Sequence, residues 1–111
     1  MDDSEDWNMG KAYYQRLDAI LTMCTVAHIK GNGLEWYKGL FRLYMEIESK
    51  MKPEQKDKAR KMMKELTDLK NNSIKFNKPV PTEKFLEFEL YMRSILEEKG
   101  MLTPKKNLEG L

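Results

Sequence analysis

Cys24 and His28 stand four residues apart, the spacing that brings two side chains together on one helix face. A thiol beside an imidazole could hold a metal ion or act as a nucleophile and its base. Neither use is well supported by the rest of the chain. A closed zinc site needs about four ligands, and since there is no other Cys or His, carboxylates would have to complete it. Helical packing beside Leu17, Ile20 and Leu21 would bury the thiol in apolar surroundings that suppress the thiolate. The expectation is a core cysteine and a boundary histidine.

The carboxylates are no better arranged for acid–base work. Glu46/Glu48, Glu87/Glu89 and Glu97/Glu98 are one or two residues apart, and none has the three- or four-residue spacing that joins side chains on a helix. Di-iron bundles use Glu-x-x-His, but no glutamate stands at position 25. Gly31-Asn32-Gly33 lacks the later glycine, the lysine and the strand of phosphate-binding loops, and there is no serine-nucleophile motif. No catalytic residue, cofactor site or metal site is assigned, and the chain is expected not to be an enzyme.

The elements that would carry any site are helices. The chain of 111 residues has 41% hydrophobic and 34% charged residues with a net charge of +2, which is the balance of one folded domain. Apolar spacing predicts an all-α, compact four-helix bundle-like domain over 1–100, with helices at about 5–30, 33–51, 53–70 and 82–99, and a C-terminal tail at 101–111. In helix 1 the face is Tyr13, Leu17, Ile20, Leu21, Met23, Cys24 and Ala27. Asp3 or Ser4 is its expected N-cap, and Lys30-Gly31 should end it. The turn at Gly31-Asn32-Gly33 then sets helices 1 and 2 antiparallel.

Helix 2 carries the most information. Leu34, Trp36, Tyr37, Leu40, Phe41, Leu43, Tyr44, Met45, Ile47 and Met51 occupy an arc about 200° wide, where one neighbour needs little more than ~100°. Glu35, Lys38, Gly39, Arg42, Glu46, Ser49 and Lys50 fill the rest. Gly39 costs about 1 kcal/mol against alanine, and either permits a close helix approach or does nothing. Glu48 projects into the apolar arc; it either reaches water from the helix end or pairs with a lysine across an interface.

Helix 3 begins at Pro53, which suits a first helical turn. Its stripe of Ala59, Met62, Met63, Leu66 and Leu69 is only about 120° wide, marking a peripheral helix or one exposed enough to bind something else. Asn71 to Val80 reads as a connection in which Ile74 and Phe76 pin apolar side chains onto the bundle; a short strand is the alternative, but it would need a partner the sequence does not offer. Helix 4 starts at Pro81-Thr82, presents Phe85, Phe88, Tyr91, Met92, Ile95 and Leu96, and ends at Gly100. Leu86 and Leu90 lie outside that stripe. Nine methionines suit gap-filling in an imperfect core, or an adaptable binding surface.

Charge is segregated along the chain. Residues 1–8 carry Asp2, Asp3, Glu5 and Asp6 with no base, while residues 50–78 carry ten Lys or Arg against four acids. Lys52, Lys56, Arg60, Lys64, Lys75 and Lys78 are candidate phosphate contacts for a sequence-independent nucleic-acid partner. Glu54, Asp57, Glu65 and Asp68, interspersed on the same helix face, favour an ordinary solvated surface instead. Lysine outnumbers arginine there, which is against base reading.

The single cysteine excludes an intrachain disulfide and suits a reducing cytoplasm. The acidic start lacks the basic region of a secretory signal. Ala19 to Ile29, the longest mildly apolar run, falls short of the ~20 residues that span a bilayer. No membrane partner is expected, and the location expected is cytoplasmic.

The surplus apolar surface of helix 2 favours a non-enzymatic interaction module that self-associates as a homo-oligomer or docks on a protein partner. Trp36, Leu40, Leu43 and Ile47, together with Leu86 and Leu90, are its expected interface. The nucleic-acid accessory protein is the alternative. Small-ligand binding in a methionine-lined core has no polar anchor to support it.

Overall fold

A computed structural model describes residues 3–100, with side chains described from Gln15 onward; the tail at 101–111 and the side chain of Tyr13 lie outside the described residues. Four helices follow one another: α1 (Asp3–Ile29), α2 (Gly33–Ile47), α3 (Pro53–Lys75) and α4 (Thr82–Glu98), with a 3₁₀ turn at Glu48–Lys50 between α2 and α3. The fold is all-α and bundle-like, with no strand among the described residues. One core joins Leu17, Ile20 and Leu21 of α1 to Trp36, Leu40, Leu43 and Ile47 of α2, Ala59, Met63 and Leu66 of α3, and Phe85, Phe88, Met92, Ile95 and Leu96 of α4.

The boundaries are written in the caps. Gly31 adopts φ +70°, and the N–H groups of Gly31 and Asn32 return to the carbonyls of His28 and Ala27 at 3.0 and 2.9 Å. That is a Schellman stop, which only a residue tolerant of the left-handed conformation can make cheaply. Asn32 then starts α2, its side-chain oxygen accepting from the Glu35 N–H at 3.2 Å. The turn therefore ends one helix and caps the next within three residues.

Helix α3 runs to Lys75 rather than to about residue 70, and the expected ten-residue connection shrinks accordingly. Asn71-Asn72-Ser73 stays helical because the stop signal lies further on. Asn77 takes φ +49°, its N–H bonds to the Ile74 carbonyl at 3.3 Å, and the Lys78 N–H bonds to the Ser73 carbonyl at 3.0 Å. This is the same stop with asparagine in place of glycine. A second expectation fails with it: Ile74 and Phe76 do not pin the connection to the bundle, being 57% and 59% exposed. Val80 performs that role, packing on the core where a Cβ at Gly33 would come within 2.9 Å of it.

Helix α2 is central, touching α1, α3 and α4, whereas α3 buries one narrow edge, as expected. Gly39 decides how α1 sits. A Cβ at this position would lie 2.7 Å from Cys24 Sγ, so α1 rests directly on the α2 backbone there. Further along, the Arg16–Glu46 ion pair, at 3.3 Å, links the same two antiparallel helices.

Candidate functional site

The residues expected to form an interface are mostly inside the protein. Trp36, Leu40, Leu43 and Ile47 are all buried. Trp36 meets the Phe85 ring at 5.4 Å, so helix α4 covers the sector that the sequence left open. Leu86 is half-buried against the core, and of the six only Leu90 is exposed. The expected patch is thus corrected: its centre is the seam of α2 with α1 and α4.

The apolar surplus of α2 emerges at the other edge of its arc. Leu34, Phe41 and Met45 are 44%, 42% and 57% exposed. Their spacing of seven and four residues sets them in one row along the helix. The reason is the position of α1. Had α1 packed against the middle of the apolar arc, this row would have been within reach of a neighbour; docking on Gly39, at the polar edge, leaves it outside.

Cations border the row on both sides. Lys38 and Arg42 flank it toward α1, Lys38 also lying 3.4 Å from Glu35. On the other side α3 presents Arg60, Lys64 and Thr67, which share one face at spacings of four and three. Two contacts anchor that face beside α2: Arg60 pairs with Glu48 at 3.3 Å, and the Thr67 and Tyr37 hydroxyls are 2.8 Å apart. Tyr37 continues the row inward, its ring 6.1 Å from Phe41 and 4.8 Å below Lys70 Nζ. At the far end Leu34 and Ile74 share the lining of a shallow cleft of about 500 Å³ with Ser73, Asn77, Lys78 and Pro79.

Glu48 neither extends into water unpaired nor awaits a lysine from another chain. It accepts a hydrogen bond from the Tyr44 hydroxyl and pairs with Arg60 of its own chain. The Tyr44 bond, reinforced by Arg60, holds its carboxyl below the usual glutamate range. Burial, and then the bond to Glu48, push the Tyr44 phenol up.

The basic segment is largely engaged within the molecule. Lys52 pairs with Glu98 at 3.1 Å, and Lys58 sits 4.6 Å above the Tyr91 ring. Lys75 and Lys78 lie 5.4 and 5.6 Å from the Phe76 ring. Lys56 is half-buried. Lys64, with its neighbour Lys61, is exposed and forms no ion pair with a described residue.

Cys24 and His28 have different surroundings. Burial, and then the charge of Glu89, raise the Cys24 thiol from 9.0 to about 12, against a smaller opposing effect of Arg93. The His28 ring stacks on Trp36 instead, with centroids 4.2 Å apart and planes within 8°. Trp36 donates from Nε1 to Glu89 Oε1 at 2.8 Å. Glu89 is the one buried charged residue among those described, and sequence reasoning missed its role. Its position carried the signal, since four residues after Phe85 and three before Met92 is a core position. Among the described residues, no three His, Cys, Asp or Glu side chains gather as a metal site would require.

No protein-family model, curated protein or solved structure matches the chain. The class it falls in is set by its fold, an all-α bundle-like domain. No helix among the described residues is long and apolar enough to cross a membrane.

Proposed function

We propose that this chain is a non-catalytic protein-interaction module whose docking surface is the Leu34, Phe41 and Met45 row of α2 with its cationic borders. The observation that carries this reading is the exposure of three large apolar side chains in one row of a helix arc whose other apolar residues are buried or half-buried. Clustered apolar residues rimmed by polar ones mark contact surfaces more often than solitary exposed ones do. The rim of Lys38, Arg42, Arg60 and Lys64 suits a partner segment that combines apolar and acidic residues.

The nucleic-acid reading draws less support, because most of the basic segment already has a carboxylate or an aromatic ring beside it. Both readings meet in one measurement. A Phe41→Ser, Met45→Ser double variant should retain its helical circular dichroism while losing protein association. Retained association would defeat the proposal. If instead the native chain binds DNA or RNA with an affinity that falls steeply with salt, and the double variant binds equally well, the basic segment is the functional surface.

A further inference from the structure

The same row has a complementary segment in the chain itself. Residues 1–8 contain Asp2, Asp3, Glu5 and Asp6 and no base, followed by Met9, with Trp7 among the acids. This is the combination of acidic and apolar groups that the row and its rim would bind. Resting on the interaction-module reading above, we infer that the partner is a second copy of this chain, and that the acidic N-terminal end of its α1 docks across Leu34, Phe41 and Met45.

The register of the bundle makes this contact one between chains. Cys24 faces Gly39, and Arg16 faces Glu46, so residues facing one another across α1 and α2 have numbers that sum to 62 or 63. Ile47, the last residue of α2, is therefore level with residue 15 or 16 of α1. The helix continues to Asp3 and so overruns the end of α2. Phe41 is level with residue 21 or 22 by the same sum. At 1.5 Å per residue, Asp6 lies roughly 20 Å along the axis from its own chain's Phe41, and an unbroken helix cannot turn back to it. The molecule measures 55 Å in its longest direction, well over the ~22 Å that the 15 residues of α2 span.

A second copy related by a two-fold axis brings each acidic end to the other's row at once. Both contacts are then the same, as an isologous interface requires. Charge supports the pairing: Arg42 and Lys64 have no ion pair with a described residue, and the acidic end supplies four carboxylates. Self-association should accordingly weaken with salt, in the way surface charge pairs do.

Charge exchange tests the assignment. One variant carries Asp3→Lys, Glu5→Lys and Asp6→Lys; the other carries Lys38→Glu, Arg42→Glu and Lys64→Glu. Light scattering at tens of micromolar should show the native chain near twice its 13.2 kDa, and each variant alone at the single mass. An equimolar mixture of the variants should recover the doubled mass, because each opposed pair is then again of unlike sign; this recovery also shows that both variants fold. A strictly monomeric native chain, or an N-terminal variant that still doubles its mass, overturns the assignment. In the latter case, loss of association in the Phe41→Ser, Met45→Ser variant leaves the interaction module standing with a different occupant. If that variant also associates normally, both readings fall.

Discussion

The two edges of helix α2 bear similar side chains and have opposite fates. On one edge Trp36, Leu43 and Ile47 are sealed between α1 and α4, and the indole even finds a buried acceptor in Glu89. On the other, Leu34, Phe41 and Met45 face outward beside Lys38 and Arg42. Hydrophobicity does not separate them, since phenylalanine and methionine are as apolar as what lies buried. What separates them is a single glycine. Gly39 draws α1 to the polar side of the arc, and the apolar residues furthest from it lose their cover.

The comparison can be broken most severely on the sealed edge. Trp36→Ala removes a buried ring and leaves Glu89 without its donor, so unfolding by urea should show a loss of about 3 to 5 kcal/mol. Next in size is the effect of alkaline pH on the same seam. Cys24 stays protonated when folded up to about 12, while in the unfolded chain it ionises near 9.0. The unfolded state therefore loses its proton first. Stability from this group is full below pH 9 and declines as pH rises toward 12, by on the order of 4 kcal/mol over the interval. Denaturant titrations of the native chain and of Cys24→Ala should diverge in slope over that range, the variant lacking this component.

A smaller change tests the glycine itself. Gly39→Ala gains helix propensity but places its Cβ against Cys24 Sγ, and should destabilise by about 1 to 3 kcal/mol. Cys24→Ala in the same chain removes the sulfur and should recover part of that loss, a coupling that a double-mutant cycle measures directly. The smallest effect belongs to the outer edge. Phe41→Ser and Met45→Ser, compared at a concentration where the chain is monomeric, should each move stability by no more than about 0.5 kcal/mol, as exposed substitutions usually do. A melting temperature lowered as far as that of Trp36→Ala would show that the outer row is buried in solution.

The helices and the role of α2 were legible because apolar period and end signals agree over most of the chain. Pro53, Gly31 and Gly100 all stand where helices begin or stop. The end of α3 was misread because asparagine serves both in loops and in left-handed caps, and only its backbone partners distinguish Asn77 from Asn71. That Trp36, Leu40, Leu43 and Ile47 are buried was hidden for a different reason. A helical wheel gives the width of an apolar arc but not which neighbour occupies which part of it. That choice turned on a contact between Gly39 and Cys24, two residues that the sequence placed on separate helices without saying how close they come. Glu89 is legible neither from its spacing to Glu87 nor from any other carboxylate, because its partner is the indole of Trp36, a residue 53 positions away.

The same close contact gives the protein a built-in clock. Its only thiol lies at the seam where α1 rests on bare backbone, and it is fully buried. A soluble thiol reagent can reach Cys24 only in moments when α1 has lifted away, so the rate of labelling counts those openings against the lifetime of the whole fold. Motion of the first helix thus has a chemical readout that needs no added probe.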